Sequence, residues 1–483
     1  MARGPLIAAL LGVGLALTGC AVGPRYVRPA PAPTASGPFV SAGLGAADQP
    51  PPADWWRLYD DPVLDRLVPE ALSANQDLKV AAANLAYARA LAGEARAGLL
   101  PTTQADASAG YARTATGDVD AALAGVSPKN SWIYSAGFNA AYQVDLFGRI
   151  RRSIQAANAN AESVRAAEDV VRVTVAAETA QAYANLCGYA EQAEVARRSR
   201  EAAQNTYDLV THERDIGSAS DFDVARAATA LEQAKAAVPV LEGQQRAALF
   251  ELTALLGKTP AEAPTDAAAC HTPPRIGQPL PVGDGAALLR RRPDVREAER
   301  ALAADVARIG VAAADLYPTV TLGGSVQSEF GKASALGAPN LLTFSLGPLI
   351  SWTFPNVAVA EAHVREARAT ASGALASFNS TVLTALKETE QALTGYAAEL
   401  DHHAALAAAR DHAQAAFDLA RTQYKIGSIS LLDLLTAETT LLDAEQALAA
   451  SDQALSNDQV AVFEALGGGW EAAPPAAGPS LPR

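Results

Sequence analysis

Large aromatic and sulfur-containing side chains are scarce in this chain of 483 residues. Aromatic residues make up 6% of the sequence, and there are one methionine and three cysteines. Alanine dominates many segments, and small side chains let helices approach one another closely. The composition therefore excludes a series of ordinary globular cores and favours long helices that pack through small residues.

Recognisable enzyme chemistry is also missing. The segment "LTALLGKT" (252–259) ends like a phosphate-binding loop, but Leu252 occupies the position of the first required glycine. His402, His403 and His412 share one helical region without a metal-binding motif, and we expect them on solvated helix faces. A net charge of -14 argues against nucleic acid as a partner. The sequence therefore predicts neither an enzyme nor a metal or other cofactor.

The N-terminus predicts an exported protein. Residues 1–19 place Arg3 before a short apolar run, which is typical of a signal peptide. The following "LTGC" resembles a bacterial lipobox, in which Cys20 would be lipidated and become the mature N-terminus at the outer membrane. Residues 20–53 and 471–483 are rich in Pro, Ala and Gly and predict an extended tether and a flexible tail.

The two remaining cysteines leave their pairing open. An oxidising compartment would permit a disulfide. Cys187 lies inside a long helical pattern and Cys270 in a Pro/Ala loop, and nothing in the sequence brings them together. We therefore expect two unpaired, partly buried thiols.

The body of the chain is duplicated. Residues 75–102 align without a gap with residues 292–319, and the segment around Gly217 recurs around Gly427. The predicted repeats span 54–270 and 271–470, and each contains one helix, two strands and one long helical hairpin.

Alternating residues predict the strands, at about 102–116, 131–146, 319–330 and 341–355. In the second strand the even-numbered positions carry Trp132, Tyr134 and Phe138, and in the fourth they carry Phe344, Trp352 and Phe354. Small polar residues, such as Thr343 and Ser345, occupy the opposite face of the fourth strand.

Long stretches without proline, from 129 to 238 and from 356 to 473, predict hairpins at about 148–256 and 356–466. Arg149 to Ile216 would form a single helix of roughly 100 Å at about 1.5 Å per residue. Gly217 and Gly427 suit the positive φ of a helix end, and Ser220 and Ser430 suit the next N-cap. Asp223 and Asp433 follow three residues later, near the positive helix terminus.

Four amphipathic strands cannot close a barrel, and open sheet edges are not tolerated in lipid. If the aromatic faces contact lipid, several chains must each contribute their strands to one closed barrel. Two chains give eight strands, which side chains would fill, whereas three give twelve and leave room for water. A soluble four-stranded domain is the alternative that the pattern leaves open.

Seven segments together carry a family resemblance: "DWWRLYDDPVLDRLVPEALSANQDL" (54–78), "DLFGRIRRS" (145–153), "LLRRRPDVREAERAL" (288–302), "GVAAADLYPTVTL" (310–322), "LGPLISWTF" (346–354), "YKIGSISLLDLL" (424–435) and "EALGGGW" (464–470). The chain resembles the TolC-like outer-membrane efflux factors, in particular the lipoprotein branch that partners RND pumps. The resemblance implies an α+β membrane protein, internally duplicated and trimeric. Its transmembrane β-barrel would have twelve strands, four per chain, continued by a periplasmic α-helical barrel with an equatorial domain.

The resemblance also implies partners and a function. The homotrimer would passively conduct small toxic compounds or drugs from a periplasmic adaptor and an inner-membrane RND-type pump to the exterior. Three other functions are weighed against it: a structural or adhesive coiled-coil lipoprotein, a periplasmic adaptor, and an outer-membrane component of a different secretion system.

Site residues follow from the strands, the hairpin turns and the resemblance. We expect lipid contact at Trp132, Tyr134, Phe138, Phe344, Trp352 and Phe354, and adaptor contact at Gly217, Ser220, Gly427 and Ser430. Asp223, Tyr424 and Asp433 match gate and lumen-ring positions, whereas Ile429 and Thr436 depart from the family pattern of a gate arginine and a second aspartate. Asp433 has an alternative role, which is only to support the N-terminus of its helix.

Overall fold

Long helices and one antiparallel sheet make up most of the computed structural model, which describes residues 21–30, 32–41, 43, 46–113, 115–127, 130–330, 341–352, 354 and 357–469. The elements are, in chain order, β1 (Ala46–Ala47), α1 (Pro62–Ala74), α2 (Gln76–Ala97), β2 (Thr102–Ala112), α3 (Ala115–Leu123), β3 (Ser131–Val144), α4 (Arg149–Asp215), α5 (Asp221–Leu255), β4 (Leu280–Pro281), α6 (Gly285–Arg291), α7 (Pro293–Ala314), β5 (Thr319–Phe330), β6 (Leu342–Ser351), α8 (Val357–Lys425) and α9 (Leu431–Ala465). Within these residues, none of the helices combines the length and the hydropathy that crossing a bilayer demands.

Both halves of the chain repeat one order of elements. The first half runs α2, β2, β3, α4 and α5, and the second runs α7, β5, β6, α8 and α9. The long helices start within one residue of the predicted positions. The strand expected to reach residue 116 is shorter, because it ends at Ala112 and α3 begins three residues later. The corresponding segment of the second half, 331–340, lies outside the described residues.

The four long strands form a single sheet in the order β2-β3-β5-β6. All three pairings are antiparallel, and β3 pairs with β5 although a complete helical hairpin separates them in sequence. Strands β2 and β6 are therefore the two edges of this sheet.

The chain divides into two compact units. The first comprises residues 1–28, 87–163 and 299–377 and contains the four-stranded sheet. The second comprises residues 29–86, 164–298 and 378–483 and contains the two hairpin turns, α1 and the short β1–β4 pair.

A hydrophobic core anchors the helices of the second unit. Trp55 is fully buried and stacks on Phe463 of α9 at a centroid distance of 4.9 Å. Leu186 of α4 and Leu252 of α5 are also fully buried in this cluster. Burial of each large side chain contributes about 1.5–3 kcal/mol, so this cluster fixes helices that are otherwise rich in alanine.

The N-terminal segment, for which the sequence predicts an extended tether, is held by specific contacts. In the first unit, buried Arg152 donates from Nε to the carbonyl of Val22 at 3.1 Å and from Nη2 to that of Gly23 at 3.0 Å. The hydroxyl of Tyr26 donates to the buried carboxylate of Glu299 at 2.7 Å. A proline-rich composition therefore did not imply a free chain.

The same segment is also held within the second unit. The backbone N–H groups of Val40 and Ser41 each donate to the carboxylate of Glu390 at 2.8 Å. Phe39 is buried in the core, and β1 pairs in parallel with β4. These contacts supply partners for backbone groups in a region without long elements of its own.

The expectation of two unpaired thiols is wrong. Cys187 and Cys270 form a disulfide with Cα atoms 5.0 Å apart, and Cys187 is completely buried. Their separation of 83 residues encloses the whole first hairpin turn. The core of the second unit brings together a helix and a loop that local sequence patterns cannot place.

We predict that the double variant Cys187→Ala/Cys270→Ala unfolds at a lower temperature than the wild type. Its free energy of unfolding should be smaller by about 2–4 kcal/mol. The disulfide limits the freedom of a long loop in the unfolded chain, and its removal restores that freedom. Thermal unfolding followed by circular dichroism checks this. Reduction should lower the melting temperature of the wild type and leave that of the variant unchanged. Equal melting temperatures of oxidised wild type and variant would contradict the prediction.

Candidate functional site

The sheet has one continuous apolar face. Its register places Phe138 of β3 opposite Val326 of β5, and Val326 opposite Phe344 of β6. Because side chains alternate along strands, these three residues point to the same side. We call the side that carries them the apolar face, and it includes Trp132, Tyr134 and Phe138 of β3 and Phe344 of β6. Trp352 and Phe354, which the sequence predicts on the same strand, follow the end of β6 at Ser351.

This apolar face is exposed. Phe344 is 80% exposed, Leu346 87% and Ile350 68%, although all three belong to a regular strand. Exposed apolar surfaces of this extent mark contacts with membranes or with other proteins.

Aromatic side chains gather at both ends of the apolar face. At the end of the sheet where β2 finishes and β3 begins, four aromatic rings follow one another with centroid distances of 5.7, 6.1 and 5.8 Å. They belong, in this order, to Tyr111, Trp132, Tyr134 and Phe330. Near the other end, Phe147 stacks on Tyr317 at 4.6 Å, and Trp352 lies 5.2 Å from Phe354. Aromatic pairs thus lie near both ends of the sheet, and the row of Phe138, Val326 and Phe344 lies between them.

The opposite face of the sheet is mainly polar. Asn139 donates to Asp106 at 3.1 Å, and the hydroxyl groups of Ser325 and Ser345 lie 2.8 Å apart. Ile133 and Leu349 are large apolar side chains that the register places on this side. One sheet thus separates an apolar surface from a polar one.

The two edges of the sheet have no strand beyond them in the described part of the chain. Strands β2 and β6 each pair on one side only, and every residue in both is exposed. An open edge leaves alternate backbone N–H and C=O groups without sheet partners. Both edges of this sheet are therefore able to pair with a further strand.

Both hairpin turns use the same backbone device. Gly217 has φ of +81° and Gly427 has φ of +73°. After α4, the N–H of Ser218 donates to Glu213 O at 2.8 Å, and after α8 the N–H of Ser428 donates to Gln423 O at 3.0 Å. This is the Schellman pattern of a helix end, and it confirms the reason for placing glycine at these positions.

The returning helices begin at the predicted serine N-caps, and the aspartates complete a capping box at each. The N–H of Asp223 donates to Ser220 Oγ, and the Asp223 carboxylate accepts from the backbone and side chain of Ser220. Ser430 and Asp433 make the same set of bonds. The bond from the Ser430 hydroxyl, and then the bond from its backbone, hold the pKa of Asp433 below its usual value. Both aspartates remain ionised at neutral pH.

Tyr424 joins the two hairpins near their turns. Its hydroxyl donates to Glu213 Oε2 at 2.5 Å, across 211 residues of sequence. Burial and the neighbouring Glu213 carboxylate raise the pKa of Tyr424, so the hydroxyl keeps its proton. An apolar cluster of Val210, Ala227, Leu431 and Leu434 packs beside it.

Sequence reasoning identified Tyr424 but not its partner Glu213. The sequence signal for this pair is their similar distance from a turn glycine: Tyr424 lies three residues before Gly427, and Glu213 lies four before Gly217. Ile429 and Thr436, which depart from the family pattern, take no part in the bond, and Thr436 donates to Leu432 O of its own helix at 2.7 Å. Cys20 lies outside the described residues.

One histidine is not solvated as predicted. His403 is half-buried, and its Nε2 lies 2.8 Å from Asp452 Oδ1, with Arg275 beside both. No group of His, Cys, Asp and Glu among the described residues has the arrangement of a metal site.

Comparison with known proteins gives consistent results. The model of the family "Outer membrane efflux protein" matches residues 67–258 and 286–468, so each matched segment covers one copy of the repeated order. Nodulation protein T of Rhizobium leguminosarum bv. viciae is 30% identical over 96% of this chain and 94% of its own length. The toluene efflux pump outer membrane protein TtgC of Pseudomonas putida is also 30% identical, over 94% of this chain and 93% of its own.

A solved structure agrees with these relatives. The outer-membrane channel OprN superimposes with a TM-score of 0.85 at 35% identity, covering 94% of this chain and 100% of that chain. The agreement extends over both repeats, because the match spans nearly the whole sequence. The chain belongs to the outer membrane efflux protein family.

Proposed function

We propose that three copies of this chain form an outer-membrane channel that passively conducts small toxic compounds or drugs out of the periplasm. The observation that carries this proposal is the four-stranded sheet with an exposed apolar face, a polar face and two open edges. Three such sheets supply twelve strands, enough for a water-filled barrel whose lipid-facing side is apolar. The family match supports the export role.

The long hairpins would extend this barrel into the periplasm as a helical conduit. Their turns would meet a periplasmic adaptor, which joins the channel to an inner-membrane RND-type pump. The turns suit this contact because Gly217, Ser220, Gly427 and Ser430 present small or polar groups there, with open space around both glycines. The chain itself would perform no catalysis, because the pump supplies the energy.

Lipid contact at the apolar face predicts a strong asymmetry between neighbouring positions. Phe344 lies in the same row as Phe138, at the middle of β3. In the proposed barrel this row would lie near the bilayer midplane, where Phe344→Arg should reduce the stability of the barrel by about 2–4 kcal/mol per chain. The matched variant Thr343→Arg places the same charge on the polar face and should assemble. Heat-resistant oligomers on gels provide the measurement. Equal assembly of the two variants would contradict lipid contact.

Adaptor contact at the turns predicts a loss of export with little effect on the fold. A Cβ atom at Gly217 or Gly427 would meet no other atom within 4 Å, so we expect the main cost of tryptophan there to be the backbone strain of a positive φ, about 1–2 kcal/mol. We expect either variant to lose adaptor crosslinking and drug resistance. Gly395→Trp, in an open position within α8, should retain both. Unchanged crosslinking and resistance in both turn variants would exclude this contact.

Closure of the conduit would depend on the bond between Tyr424 and Glu213, which ties the two hairpins together. In planar bilayers, Tyr424→Phe and Glu213→Gln should each raise the open fraction modestly, and the double variant should add little. If the increase in open fraction in the double variant equals the sum of the two single increases, the two residues act independently.

A ring of three Asp433 carboxylates would favour cations in the same recordings. Asp433→Asn keeps an acceptor for the helix N-terminus but removes the charge, so cation selectivity should fall. Because the pKa of Asp433 is lowered, the selectivity of the wild type should persist at mildly acidic pH and disappear only below the usual carboxylate range. Unchanged selectivity in Asp433→Asn would leave Asp433 only its capping role.

Lipidation at Cys20 would add a second attachment to the membrane. The lipobox-like "LTGC" supports it, and the docked residues Val22 and Gly23 follow directly. Intact-mass spectrometry should show a mature chain that begins at an acylated Cys20. An unmodified Cys20, or cleavage at another position, would exclude lipidation there.

A further inference from the structure

A groove lies between three helices of the second unit, next to the apolar cluster that packs beside Tyr424. Helices α4, α5 and α9 enclose a cavity of about 460 Å³. This volume falls within the range of pockets that hold small organic ligands.

Alanine is the most frequent residue of the wall. Ala203, Ala227, Ala230 and Ala234 are among those that line it, and Val240, Leu241 and Leu442 add larger apolar side chains. Alanine at these positions leaves space that leucine or phenylalanine would fill. The wall is therefore suited to a flat aromatic or alkyl group.

One buried carboxylate interrupts this wall. Glu438 of α9 is 5% exposed, and its Oε2 accepts a hydrogen bond from Thr206 Oγ1 at 2.9 Å. Its other oxygen, Oε1, has no hydrogen-bond partner in the described part of the chain. A buried acceptor without a partner is destabilising, and more so when it is charged. The carboxylate therefore gains from a donor that reaches Oε1.

The charged residues that line the groove have one sign. Asp443 also lines it, and among the described lining residues there is no lysine or arginine. A cationic donor would therefore be attracted, whereas an anion would meet two carboxylates. Burial raises the pKa of Glu438, which is the expected response of a carboxylate without a cationic neighbour.

We propose that this groove binds small organic cations whose ammonium or amino group donates to Glu438 Oε1 while their apolar part covers the alanine wall. A charged donor satisfies the free oxygen and neutralises its charge, and such charge-assisted bonds are stronger than neutral ones. The site depends only on the fold of α4, α5 and α9, and so it stands independently of the proposed channel function.

The test uses 9-aminoacridine, a flat cation with an amino donor, and acridine, its neutral counterpart at pH 7.5. Binding to purified full-length protein in a neutral maltoside detergent is followed by ligand fluorescence. The wild type should bind 9-aminoacridine saturably and at least about tenfold more tightly than acridine. Glu438→Gln retains the size of the side chain and an acceptor for Thr206, and it should weaken binding of the cation by about tenfold or more.

Two further variants separate specific binding from adsorption to an acidic protein. Glu232→Gln removes an exposed carboxylate of α5 that pairs with Lys235, and binding should be unchanged. Ala234→Phe fills the groove without changing its charge, and should abolish binding of both compounds while circular dichroism shows intact helices. Absence of saturable binding to the wild type would overturn the proposal. So would equal losses in Glu438→Gln and Glu232→Gln, which would indicate general attraction to negative charge.

Discussion

The two open edges of the sheet are the constraint on which the rest of the account depends. Backbone groups along the free sides of β2 and β6 need partners, and lipid offers none. Because the sheet has four antiparallel strands, β6 runs opposite to β2. A second copy can therefore place its β2 beside β6 and keep the antiparallel order. The exposed apolar face and the polar face then acquire consistent roles, as the lipid and water sides of a closed barrel.

The two helical hairpins share the same turn structure but differ in the residues through which they contact each other. Each turn combines a positive-φ glycine with a Ser–Asp capping box, so each turn is stable by itself. The bond from Tyr424 to Glu213 joins the copies through positions that are not equivalent in the two repeats. Duplication thus explains the architecture, and the differences between the copies provide the contacts that distinguish one hairpin from the other.

Local patterns predict local structure well in this chain. Alternation identified the strands and the face that carries Phe344, and the proline-free stretches with glycine and serine at the turns identified the hairpins. Contacts between distant residues were not predictable. The Cys187–Cys270 disulfide, the docked N-terminal segment and the Glu213 partner of Tyr424 all depend on how separate elements pack. The buried carboxylate of Glu438 was missed for the same reason, since its burial arises from helices α4 and α5.

Disulfide crosslinking between the two edge strands tests the central claim most directly. Each variant carries one cysteine on the polar face of β2, at Gln104, Asp106 or Ser108, and one on the polar face of β6, at Thr343 or Ser345. The two cysteines come within bonding distance only if β2 of one copy pairs with β6 of another, because neighbouring strands bring Cα atoms to about 4.5–5.5 Å. Cys187 and Cys270 are already bonded to each other and do not interfere. The account predicts that at least one pair gives covalent species that end at three chains on denaturing gels. Absence of crosslinks in every pair, or a ladder that continues beyond three chains, would contradict it.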